Sequence, residues 1–276
     1  MGIDLIDNNE HIRIHEVIHL VDAIENDIAD FINSAGIEEK QDFINVLIHI
    51  AAKSILVFRE VLHLCMLGFP DGALSLYRNL YEQLIHLYFF NAKKDDIKFS
   101  EIINNYYIAS EIKRYSILEI LLDENDPRHK CCQEILNSYK KELNQYSLKN
   151  DYRWSGFDSF SKMIKYIEND VIVDKHNHEL FEELNTGYRL ACISLHSNCL
   201  GNSKIVGTNT SSFYIDIAPT WTEIEMPLRL SLLSFIKILE ITSQTLNINI
   251  DYHLKRLEYY LDYFTNLILE KKNTNT

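Results

Sequence analysis

A strong cation and a proton-transfer group lie seven positions apart in the run Tyr188-Arg189-Leu190-Ala191-Cys192-Ile193-Ser194-Leu195-His196-Ser197-Asn198. Seven positions on an α-helix fall about 20° short of two turns, so Arg189 and His196 leave the same face. They stand about 10.5 Å apart along the axis, too far to touch, and a third group has to sit between them. A phosphate suits that gap. Arginine grips it through two parallel hydrogen bonds and keeps its charge. Histidine, with an ordinary pKa of about 6.5, takes or gives a proton at neutral pH. The pairing fits cleavage of RNA without a metal ion. The bland alternative is a polar stripe, with Arg189 in an ion pair and His196 bonded to backbone.

A second charged pair, Arg78 and Glu82, sits four residues apart on an apolar stripe with Leu74, Ile85 and Phe89. The order is the reverse of the acid-first arrangement that agrees with the helix dipole, so helix stabilisation explains it poorly. A buried charged pair is expected here, either as a structural network or as an orienting device in which Glu82 holds Arg189. The remaining polar candidates carry less. His11, His15 and His19 form an i, i+4, i+8 ladder that could share a metal ion, but no carboxylate-rich motif accompanies it. His176 and His178 mark a helix start or turn, and His49, His63 and His86 are expected as satisfied core histidines. Phosphate-binding glycine loops, dinucleotide fingerprints and nucleophile elbows are absent from the sequence, so neither a cofactor nor a metal is expected. Tyr259, Tyr260 and Tyr263 are expected to pack rather than to stack on bases.

What must position these residues is mostly helix. The chain has 276 residues, 46% hydrophobic, and only eight glycines and four prolines interrupt it. That favours an all-α fold of about nine helices in a single domain, residues 1–276. Residues 1–150 then supply scaffold helices, and 151–276 supply a loop, the motif-bearing helix and the closing helices. The periodicity predicts helices from about Asn9 to Ser34, Glu38 to Leu67, Asp71 to Asn91, Phe99 to Leu122, Arg128 to Tyr146 and Asp158 to Asn169. The helix carrying Arg189 follows, with Thr186-Gly187 as a candidate break and fresh cap. Helices from about Thr222 to Leu246 and Asp251 to Lys271 close the chain. The third helix is apolar nearly all round, which makes it central. Gly68-Phe69-Pro70 stops the second helix and Asp71 is read as the cap of the third. The stretch 201–218, rich in Gly, Ser, Thr and Asn, reads as a long loop or small hairpin over the site.

Forty acidic against 27 basic residues leave a formal charge of −13, a surface that repels nucleic acid over most of its area. A nuclease site would need a basic rim, for which Arg78, Arg153 and Lys204 are the candidates. No run of about 18 apolar residues is present, so no membrane contact is expected. Five cysteines without paired spacing read as reduced thiols in the cytoplasm.

Three spaced elements carry a resemblance: Tyr77-Arg78-Asn79-Leu80-Tyr81-Glu82, Trp154-Ser155-Gly156, and Tyr188-Arg189 through Ser194 to His196-Ser197-Asn198. Together they span about 120 residues. In this order the chain resembles a largely uncharacterised bacterial group of all-helical proteins with a HEPN-like site. The resemblance implies a helical homodimer whose arginines and histidines line a shared cleft. It also implies metal-independent cutting of RNA to a 2′,3′-cyclic phosphate, and service as a toxin or anti-phage defence effector, with a protein partner encoded nearby. Carried over, Arg189 holds the scissile phosphate and His196 acts as general acid or base. Arg78, Glu82, Tyr188, Ser194 and Asn198 support them, and Arg153 and Lys204 touch substrate. Leu190 departs from the polar residue that usually follows the arginine. The alternative is a catalytically inactive helical sensor or interaction module, binding a small anionic ligand or a protein partner through the same polar network.

Overall fold

The computed structural model describes residues 8–34, 42–143, 153–195, 206–209, 212–215 and 224–274. The fold is all-α. Nine α-helices occur among the described residues: α1 Asn8–Ser34, α2 Asp42–Met66, α3 Pro70–Lys93, α4 Phe99–Leu121, α5 Pro127–Glu142, α6 Phe160–Tyr166, α7 Lys175–Leu195, α8 Glu225–Leu246 and α9 Asp251–Thr274. A 3-10 turn, Arg153–Ser155, precedes α6, and a π turn, Ile167–Val171, ends it. The expected loop or hairpin is a hairpin. Strand β1, Val206–Asn209, pairs antiparallel with β2, Ser212–Ile215, in the register Val206 to Ile215 and Asn209 to Ser212.

Local chemistry sets the helix ends. Gly68 takes φ +77° after α2, where a Cβ would be strained, and the Phe69 N–H reaches back to the Leu64 carbonyl at 2.9 Å. Pro70 then opens α3, its missing N–H costing nothing at a first helical position. Asp71 lies inside that first turn, where its carboxylate favours the dipole, rather than capping the helix as expected. Asp126 does cap α5: it accepts the Arg128 N–H at 2.8 Å, with Pro127 next. Asp174 opens α7 in the same manner, accepting the Asn177 N–H at 2.9 Å, so His176 and His178 do mark a helix start.

The chain groups into two compact units, with boundaries before Glu39, within α2, within α3 and before Asp174. The first comprises Met1–Glu38, Leu47–Leu87 and Asp174–Thr276. Its centre is α3 together with α8, which buries Leu228, Leu232, Leu233, Phe235, Ile236 and Leu239 around nearly its whole circumference. Phe58 of α2 stacks on Phe235 at 4.5 Å. Each such side chain contributes roughly 1.5–3 kcal/mol by leaving water. His49 and His63 are exposed instead of buried, because they lie on the outer stripe of α2 with Lys53, Leu56 and Glu60.

The second unit comprises Glu39–Val46 and Tyr88–Val173. Trp154 is its aromatic anchor, with Phe89 at 5.6 Å, Phe90 at 5.4 Å and Tyr106 at 4.7 Å between ring centroids. Gly156 follows at φ +83°, a conformation that favours glycine. The Trp154-Ser155-Gly156 element therefore pins a loop to a core. Ile108 and Ile112 of α4 close on Leu136 of α5 to join those two helices.

Candidate functional site

The site is built where α7 lies on α3 and α8 in the first unit. Tyr77 and Tyr81, one turn apart on α3, are both fully buried. The Tyr77 hydroxyl donates to the Leu184 carbonyl of α7 at 2.6 Å, and burial pushes its pKa well up, so it stays a donor. The Tyr81 ring meets Tyr188 at 4.8 Å and Phe181 at 6.3 Å. Gly187 lets the helices approach: a Cβ there would stand 2.6 Å from Leu230 Cδ1 and 3.2 Å from Tyr77 Cε1. The candidate break at Thr186-Gly187 is thus not a break, and α7 runs unbroken to Leu195. Arg229 of α8 adds an ion pair to Glu183 of α7 and donates from Nε to Thr265 of α9 at 2.8 Å. These contacts fix α7 in rotation and height, which fixes where Tyr188 and Arg189 point.

Arg78 donates from Nε to Glu82 Oε1 at 2.9 Å. Its guanidinium carbon lies 5.8 Å from the Tyr188 ring centre, a cation–π contact across α3 and α7. The pair is half-buried rather than buried as expected, with Arg78 34% and Glu82 21% exposed at the side chain. Burial lowers the Arg78 pKa, but the Glu82 carboxylate outweighs it and the net shift is upward. Tyr188 is raised by burial and then by the Glu82 charge, so its phenol is neutral wherever RNA is stable. Cys192, one turn on and partly exposed, sets its thiol beside the Tyr188 hydroxyl.

Arg189 itself is exposed on the outer side of α7. The expectation that Glu82 orients it is not met, since Glu82 is engaged by Arg78 and no ion pair or hydrogen bond among the described residues engages Arg189. Leu190 beside it is also exposed. Of the other sequence-predicted residues, His196, Asn198 and Lys204 lie outside the described residues. Ser194 and Arg153 lie on described backbone, in α7 and the 3-10 turn, with their side chains outside the description. The structure therefore brings together Arg78, Glu82 and Tyr188. It adds Tyr77 and Tyr81, expected only as members of the first motif element, Gly187, expected as a helix break, and Cys192, which had no assigned role. The signal for the tyrosines was their i, i+4 spacing on an otherwise apolar helix.

On the amino-terminal ladder, His15 and His19 meet edge to face at 4.4 Å, and no group of three or more His, Cys, Asp or Glu residues suited to a metal occurs among the described residues. No described helix is long and apolar enough to cross a membrane. Charge is divided unevenly: the unit holding Arg189 has 24 acidic and 13 basic residues, the other 16 and 14.

The model of a family of unknown function, DUF5677, matches residues 44–213, well over half of the chain. The chain belongs to that family. The DUF5677 match runs from within α2 into the second strand of the hairpin and includes all three motif elements, while α1, α8 and α9 lie outside it. No curated protein and no solved structure matches the chain.

Proposed function

We propose that the outer face of α7 is a phosphate-handling site, and that the protein is a HEPN-like, metal-independent endoribonuclease acting as a cytoplasmic homodimer, a toxin or anti-phage effector. The observation that carries this reading is Arg189: an exposed guanidinium, with no partner among the described residues, on a helix held in place by buried tyrosines. A cation so placed keeps its donors for an incoming anion. His196, seven positions on, provides proton transfer. It takes the proton of a ribose 2′-hydroxyl as that oxygen attacks phosphorus, or gives one to the departing 5′-oxygen. The P–O5′ bond breaks, leaving a 2′,3′-cyclic phosphate and a 5′-hydroxyl. Arg189 stabilises the charge that grows on the phosphoryl oxygens.

A second reading is favoured by the acidic balance of the unit that carries Arg189. Such a surface repels a long polyanion strongly, a small anion far less because it carries fewer charges, and attracts a basic protein. In that reading the same residues form an inactive sensor. End-group analysis of RNA incubated with the protein in EDTA separates the two. Cyclic-phosphate and 5′-hydroxyl ends support the ribonuclease, and intact RNA with a folded protein supports the sensor.

A further inference from the structure

The Arg78–Glu82 pair has a geometry that the proposed chemistry does not use. Glu82 takes only the Nε–H of Arg78, at 2.9 Å, and the Tyr188 ring covers one side of the guanidinium at 5.8 Å. Both terminal amines remain without a partner among the described residues, on a side chain 34% exposed. Tyr188 is the immediate neighbour of Arg189, and all four residues belong to the same compact unit. An arginine fixed at Nε and by its face, with its terminal edge open, is prepared for two parallel hydrogen bonds to one phosphate.

We infer that Arg78 is a second phosphate ligand, which takes the phosphate next to the one held by Arg189, and that Glu82 and Tyr188 are its positioning residues. This deepens the ribonuclease reading and rests on α7 being a phosphate site. Substrate is then read as two consecutive phosphates, which excludes a dinucleoside monophosphate as a good substrate and favours chains. Glu82 has a double effect. Its oxygen orients Arg78, and its charge opposes the anion, so an uncharged acceptor at that position should orient without opposing.

The test is binding of a fluorescein-labelled 2′-O-methyl RNA 12-mer, which cannot be cleaved through its 2′-oxygen, measured by anisotropy across a salt series. R78A should weaken binding about tenfold or more, the size usual for hydrogen bonds to charged groups. It should also lower the slope of log K against log salt by about 0.7, the contribution of one phosphate on a single strand. R78K should keep the slope yet bind more weakly, since a lysine cannot make the paired bonds. E82Q should bind more tightly than wild type, because its amide oxygen still accepts from Nε. A purely structural pair would leave the slope unmoved in every variant whose melting curve matches wild type, and that result overturns the inference. Should R78A not fold, the affinities of R78K and E82Q decide it: weaker binding by R78K and tighter binding by E82Q sustain the inference, and affinities equal to wild type in both overturn it. If wild type binds no 12-mer, the ribonuclease reading fails, and calorimetry with inorganic pyrophosphate decides this one. Binding lost in R78K sustains the Arg78 site, and no binding by wild type overturns it.

Discussion

Replacing Gly187 by alanine opposes two effects of known size. Alanine is favoured over glycine inside a helix by about 0.8–1.0 kcal/mol, and Gly187 lies well within α7. The new methyl, however, would stand 2.6 Å and 3.1 Å from the two Leu230 methyls and 3.2 Å from Tyr77 Cε1. Leu230 is 3% exposed and Tyr77 is fully buried, its hydroxyl tied to the Leu184 carbonyl. Leu230 can turn away, but only into packed core, and overpacking of this kind costs roughly 1–3 kcal/mol. The two effects leave a net destabilisation on the order of 1 kcal/mol. Urea unfolding followed by circular dichroism reads it as a lowered midpoint. Made on L230A, which clears the obstructing methyls, the same substitution should cost less than in wild type, because the propensity gain of about 0.8–1.0 kcal/mol is then opposed only by the 3.2 Å approach to Tyr77 Cε1. G187A more stable than wild type, or equal effects in the two backgrounds, would refute the close-packing account of α7.

Two further outcomes follow from the packing. Tyr106, edge-on to Phe90 and Trp154, has its pKa pushed up to about 12 by burial. The unfolded chain releases that proton from about pH 10, so unfolding is favoured progressively as pH rises from about 10 to about 12; Y106F should flatten this decline in alkaline urea titrations, and an unchanged decline would count against it. Cys65, buried in α2, has its thiol pushed up by burial. Peptide mass spectrometry after treatment with a thiol reagent at pH 8 should find Cys131 modified and Cys65 untouched until urea unfolds the chain.

The fold was largely legible because the chain punctuates itself. Gly68-Phe69-Pro70 and Asp126-Pro127 mark ends whose backbone requirements only those residue types meet, and α3 announces its burial by apolar residues on every side. The glycine, serine, threonine and asparagine content of 201–218 left a loop or a small hairpin open, and the pairing of β1 with β2 decides for the hairpin. What failed has one cause: spacing shows which residues share a face but not what stands opposite. Gly187 reads locally as a break, yet Leu230, 43 positions later, makes it a contact residue. The stripe of Arg78 and Glu82 reads as buried, yet Arg78 lies over the ring of Tyr188 and the pair stays half-exposed. His49 and His63 sit on a strongly apolar helix, but on its outer stripe. For the site itself, the Arg189–His196 spacing was legible, and the independence of Arg189 from Glu82 was not.

The central claim is that Arg189 and His196 act on RNA. It is tested most directly by single-turnover cleavage of an RNA chain in EDTA by wild type, R189A and H196A, with melting curves of all three. The account predicts cleavage by wild type and a fall of about a hundredfold or more in each variant, the usual effect of removing a charge-stabilising group or a general acid–base. Cleavage unchanged in both variants, or none by a folded dimeric wild type, would contradict it.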